Sequence, residues 1–412
     1  MKQRKIIIAI ADGVGDRPIK ALEGLTPLQL AKAPHLDRIA REGVTGVMDP
    51  LFPGIPVGTD MGHLILFGND PKLYPGRGPI EAAGVGLALQ AGDIAFRCNF
   101  AYRDADGIIV DRRAGRIRQG TQAIAQELEG LMVEDVQVHF SPATEHRAVL
   151  VLSGPGLSPA VSDTDPKAPN DGVAYKPAQA LEDSPSARKT ARILNQVLEI
   201  AYERFASHPV NLDRQAAGLY PANFIITRGA GMMTDFQPLC QEFGYQAAVV
   251  AREDTVLGMG RLSAMTVITD DRLTGNVDTD PELKADLALD ALKTHDLVYA
   301  HIKAPDVMGH DNQPLGKIQA IEVFDRMIGR ILDGLDDQTY IALVADHSTP
   351  CEKGEHSGEP VPIAVWGPSI RQDMVSHYDE IDCSRGGLGR LTGREFLFSL
   401  LDLANWVKKQ GN

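Results

Sequence analysis

Cysteine is scarce and scattered. The 412 residues hold four cysteines, Cys98, Cys240, Cys351 and Cys383, and no C-x-x-C pair. This excludes a disulfide-stapled scaffold and fits free thiols in a reducing, cytoplasmic setting. A secretory signal is lacking too. The opening MKQRKIIIAIADG contains one short apolar run that leads straight into Asp-Gly, which suits a buried strand and is too short for a membrane span. Net positive charge is lacking: the formal charge is −14. A general nucleic-acid or anionic-membrane binder is thereby excluded, and any anionic ligand must be held by local arginine, lysine or metal. There is no Walker A sequence. Gly76–Gly84 fails the G-x-G-x-x-G fingerprint because Glu81 stands at the third glycine position, and the glycines at 229–231 and 258–260 also miss the spacing. A standard nucleotide-binding loop is therefore excluded. Repeats and low-complexity tracts are absent, and nothing in the sequence sets an oligomeric state.

What is present is enough apolar residue, 43%, for a sizeable core in two or three domains. Lys5–Ala11 is a continuous Ile-rich run, as expected of a central parallel strand covered on both faces. It ends at Asp12, and in open α/β sheets chemistry collects at the carboxyl ends of strands. Thr26-Pro27 marks a helix start, and a helix from Pro34 to Glu42 stops at Gly43. Thr59 opens a helix closed by Gly68. There it is either a capping residue or a nucleophile whose phosphorylated form is stabilised by helix N–H groups, and the two roles are compatible. Gly76–Gly84 reads as a Gly-rich loop. Between about Ala91 and His208 the composition shifts to an arginine-bearing α+β module. From Asn223 strand and helix alternate again, through Leu297–Ile302 and Ile341–Ala345, to a capping box at Thr392–Glu395 that opens a helix reaching about Lys409.

Five residues between Val298 and His356 carry metal-ligand chemistry. Asp306 and His310 stand in D-x-x-x-H spacing in the loop after one strand, Asp346 and His347 are adjacent at the end of another, and His356 follows. Carboxylates mixed with imidazoles at strand ends read as a site for two divalent ions, and such a site needs an oxygen nucleophile and one further carboxylate. Thr59 and Asp12 supply them. His63 suits a core helix position. His146 and His301 suit either a substrate contact or a supporting role, and Lys303 either the site or a solvated loop. Arg97, Arg112, Arg113, Arg116 and Arg147 form a set suited to local anion binding in an acidic protein.

Taken together, the stretches IAIADGVGDRP, PVGTDMGHLILFGNDP, GRGPIEAAGVG, DRRAGRI, EHRAVLVL, HIKAPDVMGHD and ADHSTPCEKGEHSGEPVP are similar to cofactor-independent phosphoglycerate mutase, in its archaeal-type branch of the alkaline phosphatase superfamily. The resemblance implies an α/β fold: an alkaline-phosphatase-like sheet with helices on both faces, formed by residues 1–90 and 215–412. It also implies an inserted smaller α+β cap, residues 91–214, that binds substrate. It implies one metal on Asp306, His310 and His356 and another on Asp12, Asp346, His347 and Thr59. Mn²⁺ is expected, with Mg²⁺, Co²⁺ or Zn²⁺ as alternatives, and neither 2,3-bisphosphoglycerate nor a nucleotide is needed. The implied reaction interconverts 2- and 3-phosphoglycerate in glycolysis and gluconeogenesis through phosphorylated Thr59, with Arg97, Arg113, Arg116, Arg147 and Arg228 on the substrate. The expected partner is this small phosphorylated molecule, with no nucleic acid and no membrane. Threonine stands where the family motif has serine, which leaves a metal-dependent phosphatase or phosphodiesterase as the alternative.

Overall fold

Two sheets organise the chain. In the computed structural model, which describes residues 3–167 and 170–411, fifteen strands form. In chain order they are β1 Ile6–Ala11, β2 Val44–Asp49, β3 Ile94–Arg103, β4 Ile108–Asp111, β5 Met132–Val133, β6 Val136–Pro142, β7 Arg147–Ser153, β8 Val173–Ala174, β9 Phe224–Met232, β10 Ala247–Val250, β11 Thr266–Ile268, β12 Leu297–Ile302, β13 Tyr340–Val344, β14 Val361–Trp366 and β15 Gly389–Thr392. One sheet runs β11-β10-β12-β1-β13-β14-β2-β15. The other has seven strands, with β3 central between β7, β4 and β9.

The first sheet belongs to a unit made of Met1–Lys72 and Phe236–Asn412. All six residues of β1 are buried, and β1 pairs in parallel with β12 on one side and β13 on the other. The Ile-rich run thus becomes a central strand because apolar residues at every position suit a strand covered on both faces. The parallel pairing ends all three strands at the same edge, so the residues that follow them are brought together. Past β13 the sheet turns antiparallel: β14 runs against both β13 and β2. Thr26 makes a full capping box with Gln29, and Thr392 makes one with Glu395. The last helix is Gly393–Leu403 and stops short of the expected Lys409.

The second sheet lies in the unit Leu73–Asp235. Its boundaries differ from the expected 90/91 and 214/215 for a physical reason. The stretch Gly76–Gly84, expected to be a loop, is a helix, Arg77–Gly84, packed on β3 and β9. Gly78 permits this: a Cβ there would meet the Ala95 carbonyl oxygen at 2.0 Å. At the other end β9 pairs antiparallel with β3 along most of its length, so residues beyond 214 belong to this sheet. One face of the sheet carries the core, with Phe96, Phe100, Phe140, Leu150 and Leu152 against Ile193, Leu194, Val197 and Phe205 of the helix Pro185–Ala206. The opposite face carries Ala95, Val149 and Val151 under the helix Arg77–Gly84, and alternation places Arg97 and Arg147 on that same face.

Candidate metal and phosphoryl-transfer site

The strand ends of the first unit converge on one cluster. Asp12 follows β1 and is fully buried. Its Oδ2 accepts from His301 Nε2 at 2.8 Å, and both its oxygens lie 3.1 Å from Lys303 Nζ. His301 is in β12 and Lys303 lies two residues further on, so both project from one side of the strand end. Gly13 then turns the chain at φ 61°, where a Cβ would strike Thr349 Oγ1 at 2.5 Å and Asp306 Cβ at 2.8 Å. Its freed N–H donates to Asp346 Oδ1 at 3.2 Å.

Asp306 and His310 do not lie in a loop, as the sequence suggested. They occupy a short helix, Ala304–His310, where the i, i+4 spacing puts both on one face. Asp306 Oδ2 is 2.7 Å from Lys303 Nζ, and Oδ1 accepts from Thr349 Oγ1 at 2.7 Å. His310 Nε2 and His356 Nε2 each lie 3.4 Å from Asp306 Oδ1 and 3.1 Å from one another. The Nδ1 of His310 faces the Gly354 carbonyl at 2.9 Å, and that of His356 faces the Val57 carbonyl at 2.7 Å. With Nδ1–H committed to a carbonyl, each ring presents its Nε2 lone pair to the same point as a carboxylate oxygen. That is the tautomer of a metal-ligating histidine.

Thr59 is the first residue of the helix Thr59–Leu66, whose N-cap is Gly58. A capping role therefore does not account for its hydroxyl. Its Oγ1 lies 3.2 Å from His347 Nε2 and 3.1 Å from Lys303 Nζ. His347 Nε2 is in turn 3.2 Å from Asp346 Oδ2 and 3.5 Å from Asp12 Oδ1. All seven sequence-predicted residues thus meet in one region. Among the described residues, two groups have donor atoms within 4.8 Å of one another: Asp306, His310 and His356, and Asp12, Asp306 and His347. Asp306 borders both, and Asp346 stands behind His347.

The electrostatics fit cation binding. Three buried carboxylates, Asp12, Asp306 and Asp346, face one ammonium, that of Lys303. Burial drives Asp12 well above the ordinary carboxylate range, and Asp346 adds to this. Burial also opposes ionisation of Asp306 and Asp346, yet neighbouring His356, His347, His63 and Lys303 hold both below the usual range. Burial lowers His347 to about 4, so its imidazole is neutral at pH 7. Asp346 Oδ2 is buried 3.2 Å from His347 Nε2 and 3.3 Å from His63 Nδ1 with no well-aligned hydrogen bond among the described residues, which leaves it capacity as a metal ligand. Residual negative charge and converging lone pairs are what a hard divalent ion requires.

Three contributors were under-read in the sequence. Lys303 touches Asp12, Asp306 and Thr59, His301 orients Asp12, and His63 bonds the Thr59 carbonyl at 2.8 Å. The signal for the first two was alternation along HIK after an apolar strand parallel to β1. Thr349, which joins Asp306 to His347, gave no signal at all.

The expected arginines lie in the second unit. Arg97 and Arg228 are register partners on β3 and β9. Arg147, Arg113 and Arg116 surround His146, whose imidazole is lowered to about 4 by burial and then by these charges. Arg112 is spoken for: its Nε and Nη2 donate to Asp165 at 2.7 and 3.0 Å. Arg77 and Glu81, which the sequence reading passed over, sit beside Arg97.

A parallel-centred α/β unit with carboxylates, imidazoles and a threonine at its strand ends has the fold of the alkaline phosphatase superfamily. Residues 149–359 match the type I phosphodiesterase / nucleotide pyrophosphatase model, and residues 40–211 match that of 2,3-bisphosphoglycerate-independent phosphoglycerate mutase. The chain is 45% identical to the mutase of that name from Methanopyrus kandleri over 99% of its own length and 98% of the relative's. Its identity to mutase 1 of Methanothermobacter thermautotrophicus is also 45%, over 99% and 100%. A solved Pyrococcus horikoshii protein superposes with a TM-score of 0.84 at 35% identity, covering all of both chains. The cofactor-independent phosphoglycerate mutase of Thermoplasma acidophilum gives 0.75 at 34%, covering 97% of this chain and 100% of that one. The chain belongs to the 2,3-bisphosphoglycerate-independent phosphoglycerate mutase family.

Proposed function

We propose that this chain interconverts 2-phosphoglycerate and 3-phosphoglycerate, with Thr59 as the nucleophile that carries the phosphoryl group between the two hydroxyls. The observation that supports this is the placing of Thr59 Oγ1, 3.1 Å from Lys303 Nζ and 3.2 Å from His347 Nε2, at the start of a helix. Lys303 donates to the hydroxyl oxygen and so favours its ionised form, while the helix N–H groups favour the phosphorylated one. His301 fixes the Asp12 carboxylate by accepting no charge itself, since burial holds its imidazole neutral. Thr349 and the Gly13 N–H fix Asp306 and Asp346 in the same way.

Asp306, His310 and His356 would hold one divalent ion, and Asp12, Asp346 and His347 with Thr59 the other. Mn²⁺ is the proposed metal, with Mg²⁺, Co²⁺ or Zn²⁺ as alternatives. When bound, such ions neutralise charge on a transferring phosphoryl group and lower the pKa of a coordinated hydroxyl. Arg97, Arg228, Arg113, Arg116 and Arg147 are assigned to the oxyanions of the glycerate substrate. The four cysteines are free and buried, which supports a reducing, cytoplasmic setting; a place in glycolysis or gluconeogenesis follows from the proposed reaction alone. Among the described residues no helix is long and apolar enough to cross a membrane.

The test is 3-phosphoglycerate with Mn²⁺, coupled to enolase. Formation of 2-phosphoglycerate above a metal-free control is expected, and its absence would sink the proposal. The match to the phosphodiesterase model, together with threonine at position 59, favours one second reading, a phosphoester hydrolase. That reading requires free phosphate to outrun isomerisation in the same assay.

A further inference from the structure

The helix Arg77–Gly84 places a carboxylate among guanidinium groups. Glu81 Oε1 accepts from Arg77 Nε at 3.1 Å, one helical turn away, and forms an ion pair with Arg97 Nε at 2.6 Å. Arg228 is the register partner of Arg97, and a Cβ built on the adjacent Gly229 would lie 3.8 Å from Arg97 Cδ and 3.9 Å from Arg77 Cβ. Three guanidinium stems therefore meet around one glycine. Arg228 leans the other way, its Nη1 3.5 Å from Asp165. Glu81 and Arg97 are both largely buried, with side chains 16% and 18% exposed.

A surface i, i+4 pair such as Arg77–Glu81 ordinarily contributes little and implies nothing more. The Arg97 contact is different. It joins a helix to the sheet face beneath, it is shielded from solvent, and it is a close ion pair on the Nε side of the guanidinium. The Nε–H is not aligned for a hydrogen bond, so it is the short, shielded ion pair that limits how far the planar guanidinium can swing.

We propose that Glu81 is a positioning residue: its buried carboxylate holds the Arg97 guanidinium by a close ion pair on its Nε side and leaves the Nη edge to receive one oxyanion of the substrate. The identity of that oxyanion, the carboxylate or phosphate of phosphoglycerate, rests on the mutase reading. The positioning does not. Orientation outweighs charge here. Glu81→Gln raises the net positive charge around Gly229, which alone would tighten anion binding, yet it removes the ion pair that holds Arg97 and frees the guanidinium to rotate.

The test is a double-mutant cycle of Glu81→Gln and Arg97→Ala, read as KM and kcat for 3-phosphoglycerate with Mn²⁺, with thermal unfolding recorded for each protein. Glu81→Gln is expected to raise KM about tenfold, more than it changes kcat, and to do nothing further in the Arg97→Ala background. Arg97→Lys, which keeps the charge but lacks the Nε that pairs with Glu81 and the planar fork, should raise KM by a similar factor and become insensitive to Glu81→Gln. An unchanged or lowered KM in Glu81→Gln overturns the proposal, and so does an equal effect in both backgrounds, the mark of a merely structural role. If the wild-type chain lacks mutase activity, the same cycle read as calorimetric Kd for 3-phosphoglycerate still decides the point, so the two failures are distinguishable.

Discussion

Lys303→Met is the substitution that bears hardest on the site. The ammonium lies 3.1 Å from both oxygens of Asp12, 2.7 Å from Asp306 Oδ2 and 3.1 Å from Thr59 Oγ1. Three carboxylates raise its pKa against the opposing effect of burial, so it is a fixed cation at any working pH. Methionine fills the same stem and removes only the charge and its hydrogen bonds. Taking one partner out of a buried ionic cluster costs roughly 3–5 kcal/mol, because the remaining charges stay buried. Loss of one preorganised donor to a reacting oxygen costs about 10²–10³ in kcat. In the enolase-coupled assay with Mn²⁺, kcat should fall by that factor while KM moves by less than about threefold. In thermal unfolding the variant should lose more stability in chelator than in Mn²⁺, since divalent cations replace the missing positive charge. A kcat within about threefold of wild type, or an unchanged midpoint in chelator, would refute the reasoning.

Other outcomes follow from single features. Gly78→Ala should destabilise the second unit by about 3 kcal/mol or more, because the clash is with the Ala95 backbone, which cannot rotate away; faster proteolysis within residues 73–235 is the readout. Glu380→Gln should stabilise the protein at pH 8 and do little at pH 4. Burial raises the Glu380 carboxyl from 4.5 to about 7, so the folded chain keeps a proton that the unfolded chain releases, and the associated stability is full below 4.5 and lost as pH rises through about 7. Thermal midpoints at the two pH values check the sign. His310→Ala should weaken Mn²⁺ affinity by about 10-fold or more while leaving apo-protein stability nearly unchanged, as its side chain is 36% exposed; metal titration followed calorimetrically decides it.

Much of the first unit was legible because its signals are local. An all-apolar run, a Thr-x-x-Glu box and Thr-Pro before a helix each carry their own physics, and Leu297–Ile302 forms at the limits expected. The helix Arg77–Gly84 was not legible. Glycine and proline ordinarily break helices, and only the tight approach to Ala95 explains why glycine belongs there. The antiparallel turn of the sheet at β14 was hidden for a similar reason, since strand direction is set by long-range pairing. In the site, ligand-type residues were readable one by one at strand ends, and the family resemblance grouped them. Lys303 stayed open between the site and a solvated loop, because a lysine after a strand looks solvated until Asp12, Asp306 and Thr59 are placed around it. Arg112 misled in the opposite direction: its partner Asp165 is 53 residues away in sequence.

The central claim is that Thr59 carries the phosphoryl group. The most direct measurement is rapid acid quench of the Mn²⁺-loaded enzyme turning over 3-phosphoglycerate, followed by mass-spectrometric mapping of phosphate on the 50–72 segment. Phosphate is expected on Thr59 during turnover, and neither phosphate nor isomerisation in Thr59→Ala. Isomerisation that persists in Thr59→Ala, or phosphate on another residue, would contradict it.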